Sequence, residues 1–246
     1  MTEISEEIQT SEEDEKKMYA DFKRKLNLEA ASAQVAKLEF NLTQATVSKA
    51  ELRRACQEAN RLHLGAVCVL PNQVKHCVHF LGNDPQTSLV ACISFPHGGD
   101  TTKVKVAAVK TAVKEGVDEA EVTVPVSQIK DGNWSYVKRE FKKLKNAVRH
   151  RTLRINIESQ FLTPQELTKV CAMAADCGVT SLRTSSCAGY ESDVVAKMKS
   201  AVKDRCTIKA DGVSNLTEMQ SAVDMGAGII GSKNALDLAE LILGTV

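Results

Sequence analysis

From about residue 35 onward, short apolar or alternating runs recur at regular intervals: VAKLEF, GAVCVL, SLVACISF, EAEVTV, LRINIES, SLRTSS, TIKADG and GAGIIGS. As a set they are rich in Val and Ile, and each reads as a strand. Each is followed by a stretch with helical spacing. Examples are SKAELRRACQEANRLH, TKVKVAAVKTAVKEG, NWSYVKREFKKLKNAV, TPQELTKVCAMAADCG and NLTEMQSAVDMGA. Thr163-Pro164 with Glu166, and Asn215 with Glu218, carry the chemistry of helix starts. Gly116, Gly178 and Gly226 stand where helices should stop.

Strand and helix alternate eight times, which predicts parallel strands joined by helical crossovers. Eight such units over one chain of this length predict a closed (β/α)8 TIM barrel. The competing open, doubly wound sheet would carry a Gly-rich phosphate turn after its first strand, and here that strand runs into EFNLTQAT. In a barrel, alternate strand residues face the lumen. If the apolar set faces the helices, Leu153, Ile155 and Ile157 point outward, and Arg154, Asn156 and Glu158 inward. The same parity turns Lys37, Glu39, Glu121, Arg183 and Lys209 into the lumen. That is too many charges of mixed sign for an apolar core, so they must pair. Two readings follow: an active site near the strand C-termini, or an ion network that plugs the lumen.

The total of 246 residues, 43% hydrophobic and 26% charged, fits one large domain or two small ones. With no Pro/Gly/Ser-rich linker, residues 31–246 read as a single barrel domain. Residues 1–30 read as an acidic tail (Glu3, Glu6, Glu7, Glu12, Glu13, Asp14, Glu15) and a leading helix, an extra N-terminal element. A net charge of +1 and dispersed Lys and Arg make no electrostatic case for nucleic acid or membrane binding. Aromatics at 4% offer no stacking platform. No apolar run approaches the ~20 residues of a membrane span, and the start of the chain lacks the apolar core of a secretory signal. Eight cysteines without a C-x-x-C pair or a histidine at ligand spacing predict reduced thiols, a cytoplasmic location, no metal and no cofactor.

Several stretches resemble deoxyribose-phosphate aldolase: GAVCVLPNQV, SFPHGGDTTKVKVAAVKTAVKEGVDEAEVTV, IKDGNW, LRINIE and IKADGVSN. The resemblance runs from about Leu38 to the C-terminus. It implies a class I aldolase barrel that reversibly cleaves 2-deoxyribose 5-phosphate to acetaldehyde and glyceraldehyde 3-phosphate. In that chemistry a lysine forms an imine with the substrate, a second lysine lowers its pKa, and an aspartate with a water shuttles the proton. By the resemblance, Arg183 stands at the imine-forming position, in place of the lysine of K-T-S-T-G. Glu121 stands at the shuttle aspartate, Arg154 at the lysine of L-K-V-I-x-E, and Glu39 at the aspartate of D-x-T. Cys68 and the activating lysine, Lys209, are retained. A guanidinium stays charged and makes no stable imine.

The same resemblance places phosphate on the turns ADGV and GSKN, with Gly212, Gly231, Ser232 and the additional Lys233 as binding residues near a helix N-terminus with free amides. It also implies a homodimer. Three functions are compatible with these substitutions. One is a pseudoenzyme without aldolase activity that binds a sugar phosphate or a protein partner. Another is an active lyase whose imine has moved to Lys209. The third is a protein-binding scaffold, cytoskeletal by analogy of fold alone.

Overall fold

A computed structural model of the chain describes residues 17–18, 20, 23–82, 86–186 and 188–244. The acidic residues of the expected tail lie outside them, as does Cys187. Eight strands form the barrel: β1 Leu38–Leu42, β2 Ala66–Val69, β3 Ser88–Ile93, β4 Glu119–Thr123, β5 Thr152–Asn156, β6 Ser181–Arg183, β7 Thr207–Ala210 and β8 Ala227–Ser232. Every neighbour is parallel, and β8 pairs with β1 through Leu38–Ile230 and Phe40–Ser232 to close the ring. The outer helices are α1 (23–35), α2 Lys49–Arg61, α3 Val74–Leu81, α4 Thr102–Glu115, α5 Val126–Lys130, α6 Trp134–Val148, α7 Pro164–Asp176, α8 Ser192–Val202, α9 Leu216–Asp224 and α10 Ala235–Gly244. The barrel expected from the alternation is therefore the fold.

The strand parity explains where the core lies. Leu38, Val67, Leu89, Val122, Leu153, Ile155, Leu182, Ile208 and Ile230 face outward and join one continuous core with the helices. Each such fully buried side chain contributes about 1.5–3 kcal/mol of transfer free energy. Inside the barrel, Ala66, Cys68, Val90 and Cys92 form a small separate apolar cluster against β2 and β3. The rest of the lumen is ionic. Leading helix α1 runs to residue 35 and buries Ala31 and Val35.

The expected helix signals take the form the sequence implied. Thr163 Oγ1 accepts from the Glu166 amide at 3.3 Å, while Glu166 Oε2 accepts from the Thr163 amide at 2.8 Å. Asn215 Oδ1 caps α9 through the Glu218 amide at 2.9 Å. Gly116, Gly178 and Gly226 follow α4, α7 and α9 with positive φ. The SFPHGG turn has a tighter requirement. A Cβ on Gly98 would lie 1.9 Å from the Val124 carbonyl oxygen, so only glycine lets this turn pack on the end of β4. Among the described residues no helix is long and apolar enough to cross a membrane.

One inward assignment does not hold. Lys37 lies in the turn before β1, half-buried, because the strand begins at Leu38. Parity has no meaning outside the pleat.

Candidate functional site in the barrel lumen

Glu39, Glu121, Arg154, Arg183 and Lys209 are brought together inside the barrel by strands β1, β4, β5, β6 and β7. At the floor, Arg154 Nε donates to Glu119 Oε2 at 2.6 Å, and its other nitrogens reach Glu119 and Glu39. Glu39 bridges upward to the Lys209 ammonium. Lys209 Nζ also donates to Asn41 Oδ1 at 3.2 Å and Glu121 Oε2 at 3.3 Å. Above it, Arg183 forks: Nη1 donates to Glu121 Oε1 and Nη2 to Asp211 Oδ2, both at 2.7 Å. Its Nε donates to the Ser185 carbonyl at 3.1 Å. Asn41 Nδ2 closes the circuit by donating to Asp211 Oδ1 at 2.7 Å. Asn41 and Asp211 are members that the resemblance did not single out, although Asp211 lies two residues after Lys209 and shares its parity.

Packing leaves no slack here. A Cβ on Gly231 would stand 2.0 Å from Asp211 Oδ1 and 2.7 Å from Lys209 Cε. Glycine at that point is what allows β8 to lie against the network. Lys209 and Glu121 are 0% exposed and closed to solvent, whereas Arg183, 2% exposed, reaches the edge of the barrel mouth.

The electrostatics follow from this arrangement. Burial opposes the Glu121 carboxylate, but Lys209, Arg183 and Arg154 outweigh it and hold its pKa down at about 2. Glu39 is lowered in the same way by Lys209 and Arg154 against burial. For Lys209, burial and Arg183 oppose the ammonium, and Glu121 with Glu39 overcome both, so its pKa lies above the ordinary lysine value. The surrounding carboxylates favour the charged form of the lysine. Carbonyl attack requires the neutral amine, which this arrangement disfavours.

Cys68, Cys92 and Glu121 bring three donor atoms within 4.8 Å of one another, a grouping invisible to sequence spacing. Two of these atoms already face a cation, since Arg183 Nη1 lies 2.7 Å from Glu121 Oε1 and 3.8 Å from Cys92 Sγ. A divalent ion there would meet the charges of Arg183 and Lys209 at close range. Hydrogen bonding to Cys92 and burial push the Cys68 thiol well above its usual range, which leaves it a packing residue.

Glu158 sits apart at the end of β5. It is fully buried and adopts φ 53°, unusual for a residue with a side chain. Asn156 Nδ2 and Gln160 Nε2 donate to it at 2.6 and 2.8 Å, and Ser185 Oγ at 3.1 Å. Beside it the mouth opens into a cleft of about 290 Å3 lined by Arg183, Asp211, Asn41, Gly212, Ser214 and Lys233. Of the expected phosphate residues, Gly212 and the exposed Lys233 line this cleft. Gly231 lies beneath it in the network. Ser232 is buried, with its Oγ accepting from the Asn234 amide at 3.0 Å. The ADGV turn leads to the start of α9. Glu218 Oε2 accepts from both the amide and the hydroxyl of Ser214 at 2.8 Å, so the chain supplies its own anion there.

No protein-family profile matches the chain. The deoxyribose-phosphate aldolase of Metamycoplasma hominis is 32% identical over 195 residues, covering 77% of this chain and 88% of that protein. The Clostridium botulinum (strain ATCC 19397) protein of the same name is 28% identical over 207 residues, covering 82% and 97%. Among solved structures, one described as QR15, an aldolase, superposes with a TM-score of 0.81 at 24% identity, covering 85% of this chain and 96% of its own. Barrel, motif order and sequence identity agree: the chain belongs to the deoxyribose-phosphate aldolase family.

Proposed function

We propose that this member of the family does not cleave 2-deoxyribose 5-phosphate and instead acts by binding a sugar phosphate at the barrel mouth. The observation that carries this reading is the Glu121–Arg183–Asp211 fork. By the family resemblance Arg183 takes the imine position, and its guanidinium, paired on two sides, has no amine chemistry to offer. The lumen has exchanged a reactive centre for a paired one, with each substitution keeping its charge sign.

The reading with the imine relocated to Lys209 has the weaker support. Lys209 is 0% exposed, hydrogen-bonded to Asn41 and Glu121, ion-paired with Glu39, and shifted toward its charged form. Attack on a carbonyl would need the network opened and the ammonium deprotonated together.

For binding, the cleft offers Lys233 as a point charge with the Gly212 turn and Ser214 beside it. Glu218 at the adjacent helix start competes for the Ser214 amide and hydroxyl, so affinity for a bare phosphate should be modest. Two assays on the purified chain test the proposal: cleavage of 2-deoxyribose 5-phosphate with coupled detection of acetaldehyde, and calorimetric titration of the same compound. The expectation is no turnover above a protein-free blank and saturable binding that Lys233→Glu weakens by tenfold or more. Turnover abolished by Lys209→Met would replace this reading with the relocated imine. Neither turnover nor binding would remove the sugar phosphate and leave the protein-partner reading.

A further inference from the structure

The total charge of +1 conceals an uneven distribution. The first 16 residues carry seven acidic side chains against Lys16 alone, a net of −6, which leaves +7 on the other 230. The fold gathers much of that excess on one flank of the barrel, where α4 and α6 lie side by side. Helix α6 buries Val137, Phe141, Leu144 and Val148, and turns Arg139, Lys142 and Lys143 to solvent. Helix α4 buries Val109 and Ala112 and exposes Lys110 and Lys114. Arg149 is exposed just past the end of α6. Lys110, Lys114 and Arg149 converge on a cleft of about 420 Å3 between the two helices, over Val113 and Ala147.

The acids of this flank are already used. The two helices contain one acidic residue each, Glu115 and Glu140. Glu115 pairs with Lys75 at 3.4 Å and Glu140 with the buried Lys105 at 2.8 Å. Just beyond α4, Asp118 pairs with Arg151 at 3.1 Å. Among the described residues none of these six cations has a carboxylate partner within 4.0 Å. Six like charges held on two rigid helices repel one another, and a polyanion relieves that repulsion while releasing its counterions.

We propose that the α4–α6 flank binds the phosphate backbone of a nucleic acid duplex without reading its sequence. The side chains there are cationic donors, which suit phosphate oxygens. The aromatic residues of α6, Trp134, Tyr136 and Phe141, are half-buried or buried, so single-strand stacking has no platform. Val104, at the start of α4, is the one large apolar side chain strongly exposed on either helix, too little to anchor a membrane surface. Helix α6 spans about 22 Å, the length of several phosphates along a strand. The inference is independent of the lumen, because this flank faces outward from the barrel.

The test is fluorescence anisotropy of the full chain with a labelled 20-base-pair RNA duplex and a DNA duplex of unrelated sequence. About four to six phosphate contacts predict that affinity falls roughly a hundredfold to a thousandfold between 50 and 200 mM salt, alike for both duplexes. Arg139→Glu/Lys142→Glu/Lys143→Glu should abolish binding at 50 mM salt. Lys49→Glu/Lys197→Glu, on exposed positions of α2 and α8, should change it less than threefold, with circular dichroism confirming that both variants fold. Absence of binding at 50 mM salt would overturn the proposal, as would equal loss in the two variants. If the triple variant misfolds, Lys110→Glu/Lys114→Glu gives the same test from α4. Polyglutamate or phosphatidylserine vesicles competing as well as duplex at equal charge would overturn the nucleic acid assignment in favour of an acidic protein or a lipid surface.

Discussion

Replacing Arg183 with methionine removes the one group that pairs with both Glu121 and Asp211. Each of those bonds is 2.7 Å long, and the side chains are 2%, 0% and 6% exposed. Methionine fills much of the volume, so the cavity contribution is small and the change is mainly electrostatic. Breaking a buried pair by deleting one partner costs about 3–5 kcal/mol, because the remaining carboxylates stay buried without a counter-charge. Lys209 still faces Glu121 at 3.3 Å and Asp211 at 3.7 Å, which places the expected loss toward the lower end. For a domain of this size that is a fall in Tm of roughly 6–20 °C. The assay is urea unfolding followed by circular dichroism, with thermal melts in parallel. Adding Glu121→Gln to Arg183→Met removes one stranded charge and should recover at least half of the loss. The cycle has a pH arm as well. In Arg183→Met one of the cations that lower Glu121 is gone, so its carboxyl should protonate at a higher pH than in the parent. An Arg183→Met variant within 1 kcal/mol of the parent, or a double variant no better than the single, would refute the paired-network account.

Acid should unfold the parent in a defined window. The Glu121 pKa is about 2 in the fold against 4.5 for an ordinary glutamate, so its contribution is full above pH 4.5 and is lost as pH falls toward 2. That shift corresponds to about 3 kcal/mol. Stability should drop through this range in the parent and drop less in Glu121→Gln, as read by urea midpoints at pH 5, 4 and 3. Gly98→Ala places a methyl 1.9 Å from the Val124 carbonyl at φ 63°, and should lower stability by at least 2 kcal/mol in the same assay. Gly231→Ala, aimed at Asp211 and Lys209, should cost about 1–3 kcal/mol and raise the pH at which the network titrates.

The elements were legible because their signals are local. Period-two strands, capped helices and glycine stops each depend on a few adjacent residues, and each of the eight strands overlaps its expected run, with β1 running two residues past VAKLEF and β5 starting one residue before LRINIES. Lumen parity was legible for the same reason and failed at Lys37, one residue before the pleat begins. What escaped the sequence depends on long-range geometry. Lys105 reads as another surface lysine of α4, yet it is buried against Glu140, 35 residues later, and the Thr123 carbonyl. Its burial pulls the ammonium pKa down, and Glu140 opposes that shift. Gly231 fits a phosphate turn on paper, whereas its contacts place it under the network. The exposed bases of α4 and α6 look dispersed along the chain and come together only when the helices pack.

A paired lumen of this kind should hold no reactive amine. The direct measurement is reductive trapping: the purified chain is incubated with 2-deoxyribose 5-phosphate, and separately with acetaldehyde, in the presence of cyanoborohydride, and read by intact mass and peptide mapping. The account predicts no adduct on Lys209 and only scattered labelling of exposed lysines, unchanged in Lys209→Met. A stoichiometric adduct on Lys209 would contradict it and make this chain a working aldolase with a displaced imine.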